Sequence, residues 1–227
     1  MKDPRIALIH ATPLAVQPVA EAFKQLWPQA RLVNLLDDSL PGDLAQAGAL
    51  DDTMITRFIG LAQYVKTHGA QGILFTCSAF GPAIDLARQA VGLPVLKPNE
   101  AMFEEALDIC AQLGGARRIG LLTTFAPAGL SMREELLSAV RLRGLDVQIS
   151  DACADGAMAI LNAGDAATHD RMVVDSAAAL AACDVVVLGQ FSMARAQQAV
   201  ADVLGKPVLT SPQSAVRRLK AVLNPDQ

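Results

Sequence analysis

Short apolar runs alternate with longer segments of helical period along nearly the whole chain, and this is the pattern of a parallel sheet with helices on its faces. It predicts strands at Arg5–His10, Arg31–Leu36, Gly72–Thr76, Pro94–Leu96, Arg118–Thr123, Asp146–Ser150, Val185–Gly189 and Pro207–Leu209. Helices are expected near 15–27, 51–68, 79–91, 99–113, 128–143, 166–182, 193–204 and 212–223. Gly72-Ile73-Leu74-Phe75-Thr76 and Val185-Val186-Val187-Leu188 are apolar without alternation, as strands buried on both faces are. Asp51 and Ser131 are candidate N-cap or first-turn residues. Gly69, Gly92, Gly144 and Gly205 stand where helices should stop in left-handed backbone, and Pro94 and Pro207 open the next strands.

A weak internal repeat divides the chain. Ala70–Pro94 reads as strand, polar turn, helix, glycine and proline-led strand, and Asp184–Pro207 repeats that order at nearly the same length. The expected fold class is α/β with two pseudo-symmetric lobes, each a small parallel sheet flanked by helices. Residues 1–97 plus 208–227 are assigned to the first lobe and 98–207 to the second. No Pro/Gly/Ser-rich linker separates them, which fits lobes packed closely rather than tethered.

Composition narrows the partners. A net charge of −4 and a pI of about 5.3 leave no broad basic surface for phosphates, so nucleic acid is not an expected partner. The basic residues Arg217, Arg218 and Lys220 read as a solvated helix face. No apolar run reaches the ~18 residues that span a bilayer, and Met1-Lys2-Asp3-Pro4-Arg5 enters a strand pattern without a secretory apolar region, so a cytoplasmic protein with no membrane partner is expected. Cysteines 77, 110, 153 and 183 are too scattered for a disulfide framework or a paired zinc motif, and the histidines at 10, 68 and 169 form no metal-binding spacing. Reduced thiols and no bound metal follow. With 52% hydrophobic residues, some helix faces are expected to be covered in a homo-oligomer.

In open parallel sheets, ligands bind beyond the carboxyl ends of the strands. Here those positions are polar: His10-Ala11-Thr12-Pro13, Asp37-Asp38-Ser39, Thr76-Cys77-Ser78, Thr123-Thr124, Gln190-Phe191-Ser192 and Thr210-Ser211-Pro212. Hydroxyl residues ahead of a helix bring side-chain donors and free backbone N–H groups together, which suits a carboxylate; ordinary helix capping explains any single one equally well. Cys77 is the sharpest candidate, because a helix start beside a thiol should lower its pKa and make it a base or nucleophile. Cys110 and Cys153 read as small buried hydrophobes, and Cys183 precedes its strand, at the opposite rim. His10 ends the first strand and is an alternative proton carrier, or a strand-end histidine bonded to backbone. Asp37 and Asp38 could bind an ammonium or hydroxyl group, though adjacent turn carboxylates are more often solvated.

The turns Thr76-Cys77-Ser78-Ala79-Phe80 and Leu188-Gly189-Gln190-Phe191-Ser192-Met193-Ala194, with the doubled α/β layout and the length, resemble the aspartate/glutamate/hydantoin racemase superfamily over essentially the whole chain. The resemblance implies an active site in the cleft between two lobes, no cofactor, and acid/base chemistry on the carbon next to a carboxylate. In such racemases one cysteine from each lobe faces the substrate. Cys77 matches the first; where the second-lobe pattern is Leu-Gly-Cys, this chain has Leu188-Gly189-Gln190. A carboxamide has no proton that titrates near neutral pH, so Gln190 serves only as hydrogen-bond donor and acceptor. The resemblance also extends to one-thiol decarboxylases, whose thiol lies in the other lobe, and to isomerases of unsaturated diacids with a nucleophilic cysteine.

The leading expectation is therefore a cofactor-independent isomerase or racemase acting at the α-carbon of a small carboxylic acid. Its candidate catalytic residues are Cys77, Gln190 and His10, and its candidate substrate-binding residues Thr12, Thr76, Ser78, Thr123, Thr124 and Ser192. The alternatives are a lyase that decarboxylates a malonate-like diacid with one thiol, and a non-catalytic carboxylate-binding protein.

Overall fold

The structure, a computed structural model, describes residues 3–224; Met1 and Lys2 of the expected polar start, and residues 225–227, lie outside the described residues. The chain divides into two compact units, Met1–Glu100 with Ala215–Gln227, and Ala101–Ser214. Each holds a four-stranded parallel sheet flanked by helices, so the α/β class and the two lobes are both present.

In the first unit β1 (Arg5–His10), β2 (Arg31–Leu36), β3 (Gly72–Phe75) and β4 (Val95–Leu96) lie in the order β2-β1-β3-β4. The central β3 is buried along its whole length because helices cover both its faces, which is why its sequence shows no alternation. The helices are α1 (Val16–Leu26), α2 (Leu40–Ala47), α3 (Asp52–Thr67) and α4 (Gly81–Val91). The Asp51 carboxylate caps α3 by accepting the Met54 N–H at 2.8 Å. α3 then packs Phe58 against Phe75 and Phe80, ring centroids 5.4 and 4.8 Å apart. The chain's last helix, α10 (Ser211–Leu223), packs on this sheet as well. A Cβ at Gly72 would lie 3.1 Å from the Leu223 side chain and 3.4 Å from Leu219, so a glycine there is what permits the close approach.

The second unit repeats the arrangement with β5 (Arg117–Thr123), β6 (Val147–Cys153), β7 (Val185–Leu188) and β8 (Val208–Thr210), in the order β6-β5-β7-β8. α5 (Glu100–Leu113) and α6 (Ala126–Arg143) build one core with Ile119, Leu121 and Val187. The opposite core joins Val173 of α8 (Ala166–Ala177) and Val200 of α9 (Gln197–Leu204) to Leu122, Val186 and Leu188. A short helix, α7 (Ala157–Asn162), precedes α8.

Several boundaries differ from expectation. β8 pairs with β7, so residues 208–214 belong to the second unit and α10, not β8, carries the chain back to the first. The other crossing falls after Glu100 rather than after residue 97. Ser131 lies inside α6, which starts at Ala126, and β6 runs on to Cys153 because β5 offers it a ladder through Thr123. Gly69, Gly92, Gly144 and Gly205 do adopt positive φ, Gly92 and Gly205 at 62° and 64°. Arg217 and Arg218 are exposed, as a solvated face requires.

Candidate active site

The residues with chemistry gather at the carboxyl end of each sheet. In the first unit the chain leaves β3 through Thr76 and reaches Cys77 in extended backbone, φ −124° and ψ 122°, before a 3-10 turn, Ser78–Phe80, leads into α4. Cys77 and Ser78 are half-buried and Thr76 is buried. Burial pushes the Cys77 thiol above the usual cysteine range, and hydrogen bonding from the Ala79 backbone N–H opposes this only in part. The expected lowering by a helix terminus is thus outweighed, because the sulfur loses more solvent than one short turn returns. Cys77 therefore rests as a thiol at neutral pH.

His10 is fully buried beside this turn. Its Nε2 faces Asn34 Oδ1 at 3.0 Å and its Nδ1 faces Thr76 Oγ1 at 2.9 Å. A carboxamide oxygen only accepts, so Nε2 carries the proton and Nδ1 receives the Thr76 hydroxyl hydrogen. Burial lowers the His10 pKa, with the Asn34 bond opposing, so the ring is held neutral. Both nitrogens are engaged, and the ring fixes the Thr76 hydroxyl next to Cys77. Thr12 caps its own 3-10 turn by accepting the Leu14 N–H. Asp37 is bound by Arg57, which also holds Asp43 at 2.7 Å; Asp38 is exposed.

In the second unit the equivalent turn leaves β7 through Gly189 and Gln190, φ −117° and ψ 147°, into a 3-10 segment, Phe191–Ala196. Gln190 Oε1 accepts the Thr124 backbone N–H at 3.0 Å, which fixes which end of the amide is oxygen. Gln190 Nε2 and the hydroxyl of buried Ser192 are then left buried, with no hydrogen-bond partner among the described residues. Unpaired buried donors cost free energy, about 1–3 kcal/mol each, unless something else satisfies them. A carboxylate oxygen is a suitable acceptor. Thr123 and Thr124 are both buried at the end of β5.

One cysteine departs from expectation. Cys153, opposite Thr123 in the β5–β6 ladder, is half-buried rather than a core hydrophobe. It lines a cavity of about 410 Å³ with Leu121, Thr123, Leu130 and the Arg133–Asp151 ion pair. β6 reaches Cys153 by running three residues past Ser150, where the strand was expected to end. Cys110 and Cys183 are buried, and no described cysteine is in a disulfide. No described helix is long and apolar enough to cross a membrane.

The family model described as Asp/Glu/hydantoin racemase matches residues 9–219. The chain belongs to that family. A sequence comparison with curated proteins finds no match. Among solved structures, glutamate racemase from Francisella tularensis in complex with D-glutamate is similar at a TM-score of 0.71 and 12% identity, covering 100% of this chain and 83% of that one. Allantoin racemase from Klebsiella pneumoniae gives 0.71 and 19%, covering 97% and 88%. A glycine-to-cysteine mutant of arylmalonate decarboxylase, in a sulfate-associated form, gives 0.62 and 21%, covering 95% and 93%. These likenesses establish a shared racemase-family fold that hosts both racemases and a decarboxylase.

Proposed function

We propose that this protein is a cofactor-independent enzyme that transfers a proton at the α-carbon of a small carboxylic acid, with Cys77 as its proton-transferring group. The carrying observation is the pair of strand-end turns: Cys77 at one, and at the other Gln190, whose carbonyl is tied to Thr124 while its N–H2 group has no hydrogen-bond partner among the described residues. A lone thiol that rests protonated fits delivery of a proton better than its abstraction.

The reaction class favoured is decarboxylation of a malonate-like diacid, ahead of racemisation. The bond from the α-carbon to one carboxylate breaks, carbon dioxide leaves, and its electron pair remains as an enediolate. The α-carbon then takes the proton of Cys77, and the thiolate regains one from water. Gln190 Nε2 and Ser192 Oγ donate to the carboxylate or enediolate oxygens, where charge develops, with Ser78 and Thr123 as further donors. His10 and Thr76 act as positioning residues. Likeness to arylmalonate decarboxylase, at 21% identity, is consistent with this class.

Turnover of substituted malonates in deuterium oxide tests it. The product should be monodeuterated and of one hand, and Cys77→Ala should lose roughly 10²–10⁴-fold in rate. Undiminished, equally one-handed turnover by Cys77→Ala would reject the cysteine role. Racemisation of amino acids without carbon dioxide release would return the reading to an isomerase.

A further inference from the structure

We propose that the chain forms a twofold dimer by antiparallel pairing of the β2 edge with β2 of a second copy. β2 borders its sheet, with only β1 beside it. The Arg31 N–H bonds the Pro4 carbonyl at 2.8 Å and the Asp37 N–H bonds the His10 carbonyl at 2.9 Å. A parallel ladder alternates, so Arg31, Val33, Leu35 and Asp37 turn their backbone groups toward β1, whereas Leu32, Asn34 and Leu36 turn theirs to the free edge. No described residue bonds those outward groups.

The other sheet's edge is treated differently. β6 is the border strand of the second unit, and the outward carbonyl of Ile149 is occupied by Arg133 Nη1 at 3.1 Å, with the same guanidinium on Asp151. β2 has no such cover. It carries no proline and no lysine, the usual guards of an edge, and it exposes Val33 at 38% and Leu36 at 44%, beside Tyr64 of α3 at 54%.

The edge complements itself in one register. A twofold axis perpendicular to the sheet, through Asn34, pairs residues whose numbers sum to an even value and so keeps each on its own face. Leu32 then lies opposite Leu36 of the second copy, and Val33 opposite Leu35. The outward-facing backbone groups fall into the hydrogen-bonded pairs. Arg31, exposed and without an ion pair among the described residues, lies at the position of Asp37 and next to the exposed Asp38 of the other copy. Shifting the register by two residues loses both the charge match and part of the overlap.

Sedimentation equilibrium on the full chain, up to about 100 µM, tests this. The wild type should be a dimer. Leu36→Pro removes an outward N–H that β1 does not use, and Val33→Lys places a charge on the exposed apolar face. Each should weaken the dimer at least tenfold, with far-UV circular dichroism unchanged. Arg31→Glu and Asp38→Lys should each weaken it by a smaller factor, and the double variant should recover most of the loss. A monomeric wild type would overturn the proposal, as would a dimer indifferent to both Leu36→Pro and Val33→Lys. A double variant no better than its parents would overturn the register.

Discussion

The ends of β3 and β7 are built alike and differ in what they present. Both strands are four residues long, buried throughout and flanked by an edge-ward neighbour and a short partner strand; both run through extended backbone into a 3-10 turn and then a helix. At one turn stands a thiol whose pKa burial raises, and at the other an amide whose orientation a backbone N–H fixes. The apolar run sets the scaffold twice over, while a single side chain sets what each turn can donate or accept. The two scaffolds repeat, and the side chains at their strand ends do not.

Restoring that symmetry should give the largest effect. Gln190→Cys places a second thiol where the amide stood and leaves Cys77 untouched. If the two turns address one α-carbon, the variant should exchange that proton for deuterium from both faces, with exchange at the new face rising roughly 10²–10⁴-fold. The optical purity of the product would fall with it. Product that stays one-handed would show that the turns do not act on the same carbon.

Much of the scaffold was legible in the sequence because burial on both faces leaves an unmistakable run. β1 falls where Arg5–His10 was expected and β3 ends one residue short of the expected Gly72–Thr76, and Cys77 and Gln190 both emerge at strand ends. Placing β8 in the wrong lobe ignored the repeat itself: β4 pairs with β3, so its counterpart should pair with β7, as it does. α2 and α7 were missed because eight and six residues are too few to show a helical period. The exposure of β2 could not be read from Leu32, Val33, Leu35 and Leu36, since an apolar run looks the same at a sheet edge as at its centre. Nor could the tie between Thr124 and Gln190, which are 66 residues apart.

Gly189 sharpens the comparison further. Its counterpart in the first unit is Thr76, whose side chain has room and a partner in His10. A Cβ at Gly189 would lie 2.7 Å from Met132 Sδ and 3.0 Å from Thr123 Cγ2. The thioether can swing aside, but Thr123 is buried and must shift with β5. Gly189→Ala should therefore cost about 1–3 kcal/mol in urea unfolding. A cost below about 0.5 kcal/mol would show that the second turn is as roomy as the first.

The smallest effect concerns a titration that only the first turn has. Burial depresses the folded-state pKa of His10, so below about 6.5 the unfolded chain takes up a proton that the folded chain refuses. Stability from this group is unchanged above that pH, declines as pH falls from 6.5 toward the lower folded value, and levels off beneath it. The slope is bounded by one proton, about 1.4 kcal/mol per pH unit. His10→Gln should abolish this component while losing some stability at every pH. The informative measurement is the difference in slope between wild type and variant from pH 5 to 7.5, because carboxylates shared by both chains cancel from it. Equal slopes would mean that His10 accepts a proton in place, and that the neutral ring holding Thr76 beside the thiol is not how this turn is organised.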